Sequence, residues 1–249
     1  MVNKRLLVII LSVLFVFTAV AVGFFALTDN TIEVSILAFE DSDEQLDRLN
    51  GELSVFKGKN FLFVDPLEIE QIVEADPYFE CLSVKKQFPD KIFVNVRERR
   101  EVYYITVNEK NYLLDEKGFV LSEFNGEISR NFIKINLSNV TIENLEIGNV
   151  IKTSSPILDT IFYMVEKVDS TDCIKEMTIE DKVVQTDVVF DTYTSVKIRI
   201  VDAGTSGLVK AEKAFSVYHD EAQDYVKTFN ELKAYLENGV PVALWTRHP

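Results

Sequence analysis

Asp65-Pro66-Leu67-Glu68-Ile69-Glu70-Gln71-Ile72-Val73-Glu74-Ala75-Asp76-Pro77 carries its own start and stop signals. Asp65 is an N-cap residue, Pro66 takes the first helical position where no N–H is needed, and Glu68 completes a capping-box spacing. Ile69, Ile72 and Val73 form one apolar face, and the residue before Pro77 is driven out of the helical region. Downstream, 82–88 and 92–96 read as strands joined by Phe88-Pro89-Asp90-Lys91, with Ile92, Val94 and Val96 on one face. Upstream, Phe56-Lys57-Gly58-Lys59-Asn60 is a turn cluster. Before it, Leu46, Leu49 and Leu53 follow the caps of Asp41-Ser42-Asp43 at helical spacing. Residues 31–39 alternate as a strand through Ile32, Val34, Ile36 and Ala38. The order is β-α-α-β-β, a two-layer module with helices on one sheet face and sheet edges that are protected or used.

Ahead of this module lies an apolar segment. Leu6 to Leu27 is 22 residues without a charge, interrupted only by Ser12, Thr18 and Gly23. At ~1.5 Å per residue it makes a rod of roughly 33 Å, against ~30 Å for the hydrocarbon core of a bilayer. Lys4 and Arg5 precede it and Asp29 follows, so the positive-inside rule keeps the amino end in the cytoplasm. The run exceeds a signal-peptide core, and Phe24-Phe25-Ala26-Leu27-Thr28 offers no small-residue cleavage site. We therefore expect a cytoplasmic tail over 1–5, a transmembrane helix over 6–28 and an extracytoplasmic remainder.

That remainder is acidic. Of 26 Lys+Arg and 40 Asp+Glu, only Lys4 and Arg5 fall in the first 28 residues. Such an excess of acids disfavours nucleic acid as a ligand and docking on an anionic membrane surface. Cys81 and Cys173 lie in apolar surroundings and read as two separate buried thiols, although an extracytoplasmic setting permits pairing. Asn136-Leu137-Ser138 and Asn139-Val140-Thr141 match the glycosylation sequon, a pattern short enough to occur by chance. His219 and His248 adjoin no cysteine and no second histidine. No nucleophile elbow, phosphate loop or zinc-protease motif is present, so no catalytic residue, cofactor or metal is expected.

The rest of the chain reads as mostly antiparallel strands with late helices. Strands are expected at 102–107, 112–114 and 132–137, with Asp115 and Gly118 bounding a tight turn. Leu158, Ile161, Phe162, Val165 and Val168 describe an amphipathic helix. Residues 188–190 and 196–200 make a hairpin with Lys197 and Arg199 outward. From Leu208 to Leu236 the pattern is helical, with Phe215, Tyr218, Tyr225, Phe229, Leu232 and Leu236 as packing positions. Gly239 then reads as its stop, and 240–245 as a last strand whose Pro241 suits an edge. Glu98-Arg99-Arg100-Glu101 reads as a solvated strand end with cross-strand ion pairs.

Five segments in register resemble one family. They are Gly58-Lys59-Asn60-Phe61-Leu62-Phe63-Val64-Asp65, then Asp76-Pro77-Tyr78-Phe79, then Ser83-Val84-Lys85-Lys86-Gln87-Phe88-Pro89. Lys91-Ile92-Phe93-Val94-Asn95-Val96-Arg97-Glu98-Arg99 and Tyr112-Leu113-Leu114-Asp115-Glu116-Lys117-Gly118-Phe119-Val120-Leu121 complete the set. Together they resemble the FtsQ/DivIB family of bacterial cell-division proteins. Two departures stand out: Arg100-Glu101 follow Glu98-Arg99 where members often have Pro, and Ala38-Phe39-Glu40 replaces a strand-ending Gly.

The resemblance implies an α+β ectodomain behind one anchor, with a POTRA domain over 29–99 and a β domain over 100–249. Its motif positions here are Gly58, Asn60, Asp65, Pro77, Pro89, Glu98 and Arg99, with Asp115 and Gly118 at the later turn. It further implies a non-enzymatic scaffold of the divisome, in the plasma (inner) membrane at the division septum, whose partners are FtsL and FtsB/DivIC-type coiled-coil proteins. Strand addition is the physical mode that fits, with Val240, Val242, Leu244 and Trp245 on the edge and Phe215 and Tyr218 on the helix before it. An extracytoplasmic envelope hydrolase or glycan-binding membrane protein is the competing expectation. A sensor would need a cytoplasmic output domain, and five residues ahead of the anchor leave no room for one.

Overall fold

The computed structural model describes residues 4–26, 31–37, 42–126, 128, 132–154, 157–168, 170–225 and 229–247. The expected positions Ala38, Phe39, Asp41 and His248 lie outside the described residues. Backbone contacts divide the chain into units 1–99 and 100–249.

The first unit contains α1 (Lys4–Ala26), β1 (Thr31–Leu37), α2 (Ser42–Glu52), α3 (Pro66–Val73), β2 (Phe79–Gln87) and β3 (Lys91–Glu98). Its three strands lie in the order β1-β3-β2, with β1 parallel and β2 antiparallel to β3. Ile92, Val94 and Val96 are fully buried on the central strand and pack with Leu49, Leu53, Phe56, Ile69 and Val73. Helical spacing on one layer and two-residue spacing on the other thus meet in a single core. The Asp65 side chain accepts from Leu67 N at 3.0 Å, as an N-cap should.

Helix α1 is 23 residues long, and Val8, Phe15 and Phe17 stand exposed on it. Its described side chains are those of 8–23, and among the described residues no helix is long and apolar enough to cross a membrane.

The second unit is built on one nine-stranded mixed sheet. Its strands are β4 (Tyr103–Val107), β5 (Lys110–Leu114), β6 (Val120–Phe124), β7 (Ile133–Ser138), β10 (Ile174–Asp181), β11 (Thr186–Thr192), β12 (Lys197–Ile200), β13 (Glu231–Glu237) and β14 (Val240–Thr246). The order is β14-β13-β12-β11-β10-β7-β4-β5-β6, with β8 (Ile142–Asn144) and β9 (Lys152–Thr153) as a separate ribbon. Three neighbouring pairs are parallel (β10-β7, β4-β7 and β12-β13) and the rest antiparallel. Helices α4 (Ile157–Val168) and α5 (Gly207–Tyr225) join one core with the sheet. Phe190 meets Phe215 at 5.5 Å between ring centroids, and Tyr103 meets Phe162 at 5.1 Å.

The carboxy-terminal expectation is corrected here. The helix ends at Tyr225, and Leu232 and Leu236 lie on β13, not on a helix. Leu232 and Ala234 are fully buried where they alternate with Lys233, and β13 runs parallel to β12. The i, i+4 leucines fit a helix locally, but sheet pairing decides the state. Asn238 and Gly239, with φ of 52° and 80°, form the two-residue turn between β13 and β14, so Gly239 closes a hairpin. β10, in the middle of the sheet, and β6, at one edge, carry no expectation in the sequence. The side chain of Tyr225 lies outside the described residues.

The turn after β5 is held by a buried carboxylate. Asp115 Oδ1 accepts from Lys117 N and Phe119 N, both at 2.8 Å, and Gly118 has φ of 79°. A Cβ on Gly118 would stand 2.3 Å from Phe162 Cε2. Phe162 is itself buried against Tyr103 and has little room to move. Gly118→Ala is therefore expected to cost about 3 kcal/mol from left-handed strain and overpacking together. Thermal unfolding should show a midpoint lowered by roughly 10 °C. An unchanged midpoint would mean that the Phe162 ring yields freely.

Candidate functional site

The two edges of the large sheet differ. On β6, Val120 N donates to Asn149 O at 2.9 Å, Gly148 N donates to Val120 O at 2.9 Å, and Phe119 bridges Val150. That edge is partly occupied by the chain itself. At the other end β14 pairs with β13 alone, and no described strand covers its outer side.

Turn geometry fixes which β14 groups point outward. In a two-residue hairpin the flanking residues, here Glu237 and Val240, form a hydrogen-bonded pair. Alternation then turns the backbone groups of Val240, Val242, Leu244 and Thr246 toward β13. Those of Pro241, Ala243 and Trp245 face the open edge. Pro241 supplies no N–H, so Ala243 supplies the outward N–H at the centre of this edge.

The expected site residues divide between the two faces. Val240 and Leu244 are 60% and 49% exposed, and Val242 shares their face opposite Tyr235. Ala243 and Trp245 alternate with them and pack against the helix-covered core. Phe215 and Tyr218 are buried; the Tyr218 hydroxyl lies 2.8 Å from Thr194 Oγ1. These two act from beneath, holding α5 against the sheet, while 240–245 provides the accessible strand.

A charge cluster missed in the sequence lies on the uncovered face next to this edge. Arg199 Nε donates to Glu231 Oε1 at 2.8 Å, and Nη1 donates to Glu180 Oε2 at 2.7 Å. The nearly buried Asp187 is 3.5 Å from Arg199 Nη1, and it also accepts from Lys182 and, at 3.0 Å, from Asp202 N. Glu180 is held below the ordinary carboxylate range by the Arg199 hydrogen bond. Burial alone would raise Asp187, but the Lys182 ammonium and the Asp202 N–H outweigh it and leave it lowered. Arg199 reads from the sequence only as an outward strand residue; its partners come from three other strands.

The family-motif positions sit at turns, caps and a strand end. Gly58 has φ of 80°, and Asn60 Oδ1 accepts from Leu62 N at 3.0 Å. Pro77 follows Asp76, which accepts from Tyr78 N at 3.0 Å and pairs with Arg48. Pro89 follows a cis bond from Phe88. Glu98 ends β3 opposite Phe79, and Arg99 N donates to Tyr78 O at 2.8 Å. Glu80 pairs with Arg97 and lies 4.0 Å from Arg99 Nη1, a cross-strand ion pair from the charge run at this end. These positions shape the first unit.

Two arrangements resemble chemistry and are packing. Ser170 Oγ lies 3.0 Å from His219 Nε2, but its hydroxyl donates to Val168 O at 2.9 Å. The single hydroxyl proton is thus already committed, and Ser170 is 2% exposed. The Cys173 thiol donates to Ser170 O, and burial pushes its pKa up to about 11, away from thiolate character. Cys81 is likewise raised by burial, and neither cysteine forms a disulfide.

Residues 42–99 match the model of the FtsQ-type POTRA domain. The chain is 34% identical over 106 residues to the cell division protein DivIB of Clostridium acetobutylicum, covering 42% of this chain and 41% of that protein. It is 28% identical over 64 residues to DivIB of Clostridium tetani, covering 26% and 24%. A DivIB of Clostridium botulinum is 27% identical over 95 residues, covering 38% and 36%. The matches thus span about two-fifths or less of these relatives' lengths.

Proposed function

We propose, from the premise that this chain belongs to the FtsQ/DivIB family, that it is a membrane-anchored scaffold of the bacterial division machinery. Helix α1 spans the plasma membrane with Lys4 and Arg5 on the cytoplasmic side. Residues 29–99, as the POTRA domain, and 100–249, as the β domain, lie outside the cell membrane at the septum. The protein catalyses no reaction; it holds FtsL and FtsB/DivIC-type coiled-coil proteins in place by adding a partner strand to β14. Anchoring raises the effective concentration of such partners without any new contact.

The observation that carries this reading is the β14 edge, which no described strand covers, with the Ala243 backbone groups outward and Val240, Val242 and Leu244 on the adjacent open face. The anchor part rests on the uncharged 22-residue run from Leu6 to Leu27. A fluorescent fusion on the amino end, followed in growing cells, tests the whole. The expected result is a band at midcell; a uniform rim would end the division reading.

A further inference from the structure

The tip of the first unit carries apolar side chains that no core absorbs. Phe63 and Phe88 are 76% and 73% exposed, and Leu62 and Leu67 are 57% and 62%. They are neighbours. Phe61 meets Phe88 at 6.5 Å between ring centroids, and Lys86 Nζ donates to Leu62 O at 3.3 Å and to Val64 O at 3.0 Å. Exposed Lys85 flanks the same end of β2.

Chain connectivity places this tip near the end of α1. Thr31 N donates to Asp90 O at 2.8 Å, so β1 begins beside the β2–β3 hairpin turn. Only 27–30 separate Thr31 from Ala26, and five Cα steps reach at most about 18 Å. Whatever path those residues take, Thr31 stays within about 18 Å of Ala26, and the hairpin turn at Asp90 stands beside Thr31. If α1 spans a bilayer, the hairpin end of the first unit is the end nearest the membrane, and Phe88 and Phe63 come within reach of the headgroup zone, where aromatic rings with adjacent lysines are favoured.

We propose that this tip, formed by Leu62, Phe63, Leu67 and Phe88 with Lys85 and Lys86, docks on the outer lipid surface and fixes the first unit's orientation on the membrane. The inference rests on α1 being membrane-spanning. The overall acidic charge does not oppose it, because the tether makes the encounter intramolecular and screening leaves only charges within ~10 Å to act.

The test uses the full chain in vesicles of phosphatidylcholine with or without phosphatidylglycerol. Photoreactive benzoylphenylalanine replaces Phe63, Phe88 or, as background, Tyr163 in the second unit. Phospholipid adducts are expected at 63 and 88 above the Tyr163 level. Their yield should rise about fivefold with the anionic lipid, and Lys85→Glu should remove most of that gain. Absent adducts, equal yield at Tyr163, or no dependence on anionic lipid would each overturn the proposal. Carbonate extraction separates the two levels. A chain that resists carbonate but gives no lipid adduct sinks the docking alone, whereas a chain stripped by carbonate sinks the anchor reading on which it rests.

Discussion

Arg199→Met is expected to destabilise the second unit by about 3 kcal/mol, the lower end of the cost of breaking a largely buried ion pair. The side chain is mostly buried, and its removal leaves the carboxylates of Glu180, Asp187 and Glu231 facing one another without their shared guanidinium. Lys182 still reaches Glu180 and Asp187, and Glu231 keeps the Thr246 hydroxyl at 3.1 Å but loses its cationic partner. Thermal unfolding should show a midpoint roughly 10 °C lower. A wild-type midpoint would mean that desolvation of the cluster cancels its attraction.

The same cluster sets an acid dependence. Glu180 and Asp187 both have folded pKa values lowered below their unfolded ones. The stability they contribute is therefore complete above the unfolded carboxylate range of about 4 and is lost as pH falls through the folded values. Denaturant midpoints measured from pH 7 down to pH 3 should decline for the wild type. Arg199→Met should start lower and decline less, because Glu180 has lost the guanidinium that held its carboxyl below the ordinary range.

The largest functional effect is expected from Ala243→Pro. The Ala243 N–H faces the open edge, so proline there removes an outward donor and places its ring where an added strand would lie. The β13 pairing is left alone, and Pro241, two residues earlier in the same phase, already shows that the strand accepts proline. The full chain in detergent should keep its unfolding midpoint within a few degrees and lose more than about tenfold in affinity for a coiled-coil division partner, since several edge hydrogen bonds of ~1 kcal/mol each are forfeited. Leu244→Pro makes the contrast: its N–H faces β13, so it should break the hairpin and lower stability first. Undiminished binding by Ala243→Pro would move the site away from β14. Trp245→Ala is a poorer probe, because that ring packs on the core as well as lying on the edge strand.

What the sequence determined by itself is what local chemistry encodes. Asp65, Pro66 and the spacing of Ile69, Ile72 and Val73 specify α3 with no help from distant residues. The alternation of Ile92, Val94 and Val96 specifies a half-buried strand, and Asp115 with Gly118 specifies a turn. The apolar run from Leu6 and the acid excess are likewise matters of composition. Tertiary structure decided the rest. Residues 231–236 fit a helix until β12 offers a parallel neighbour, and backbone pairing across the sheet outweighs i, i+4 leucines in so short a segment. β10 joins β7 to β11 in mid-sheet, a place fixed by long-range partners on both sides. The outward phase of Ala243 and the gathering of Glu180, Asp187 and Glu231 around Arg199 depend on register. Register is a relation between strands and is written in none of them alone.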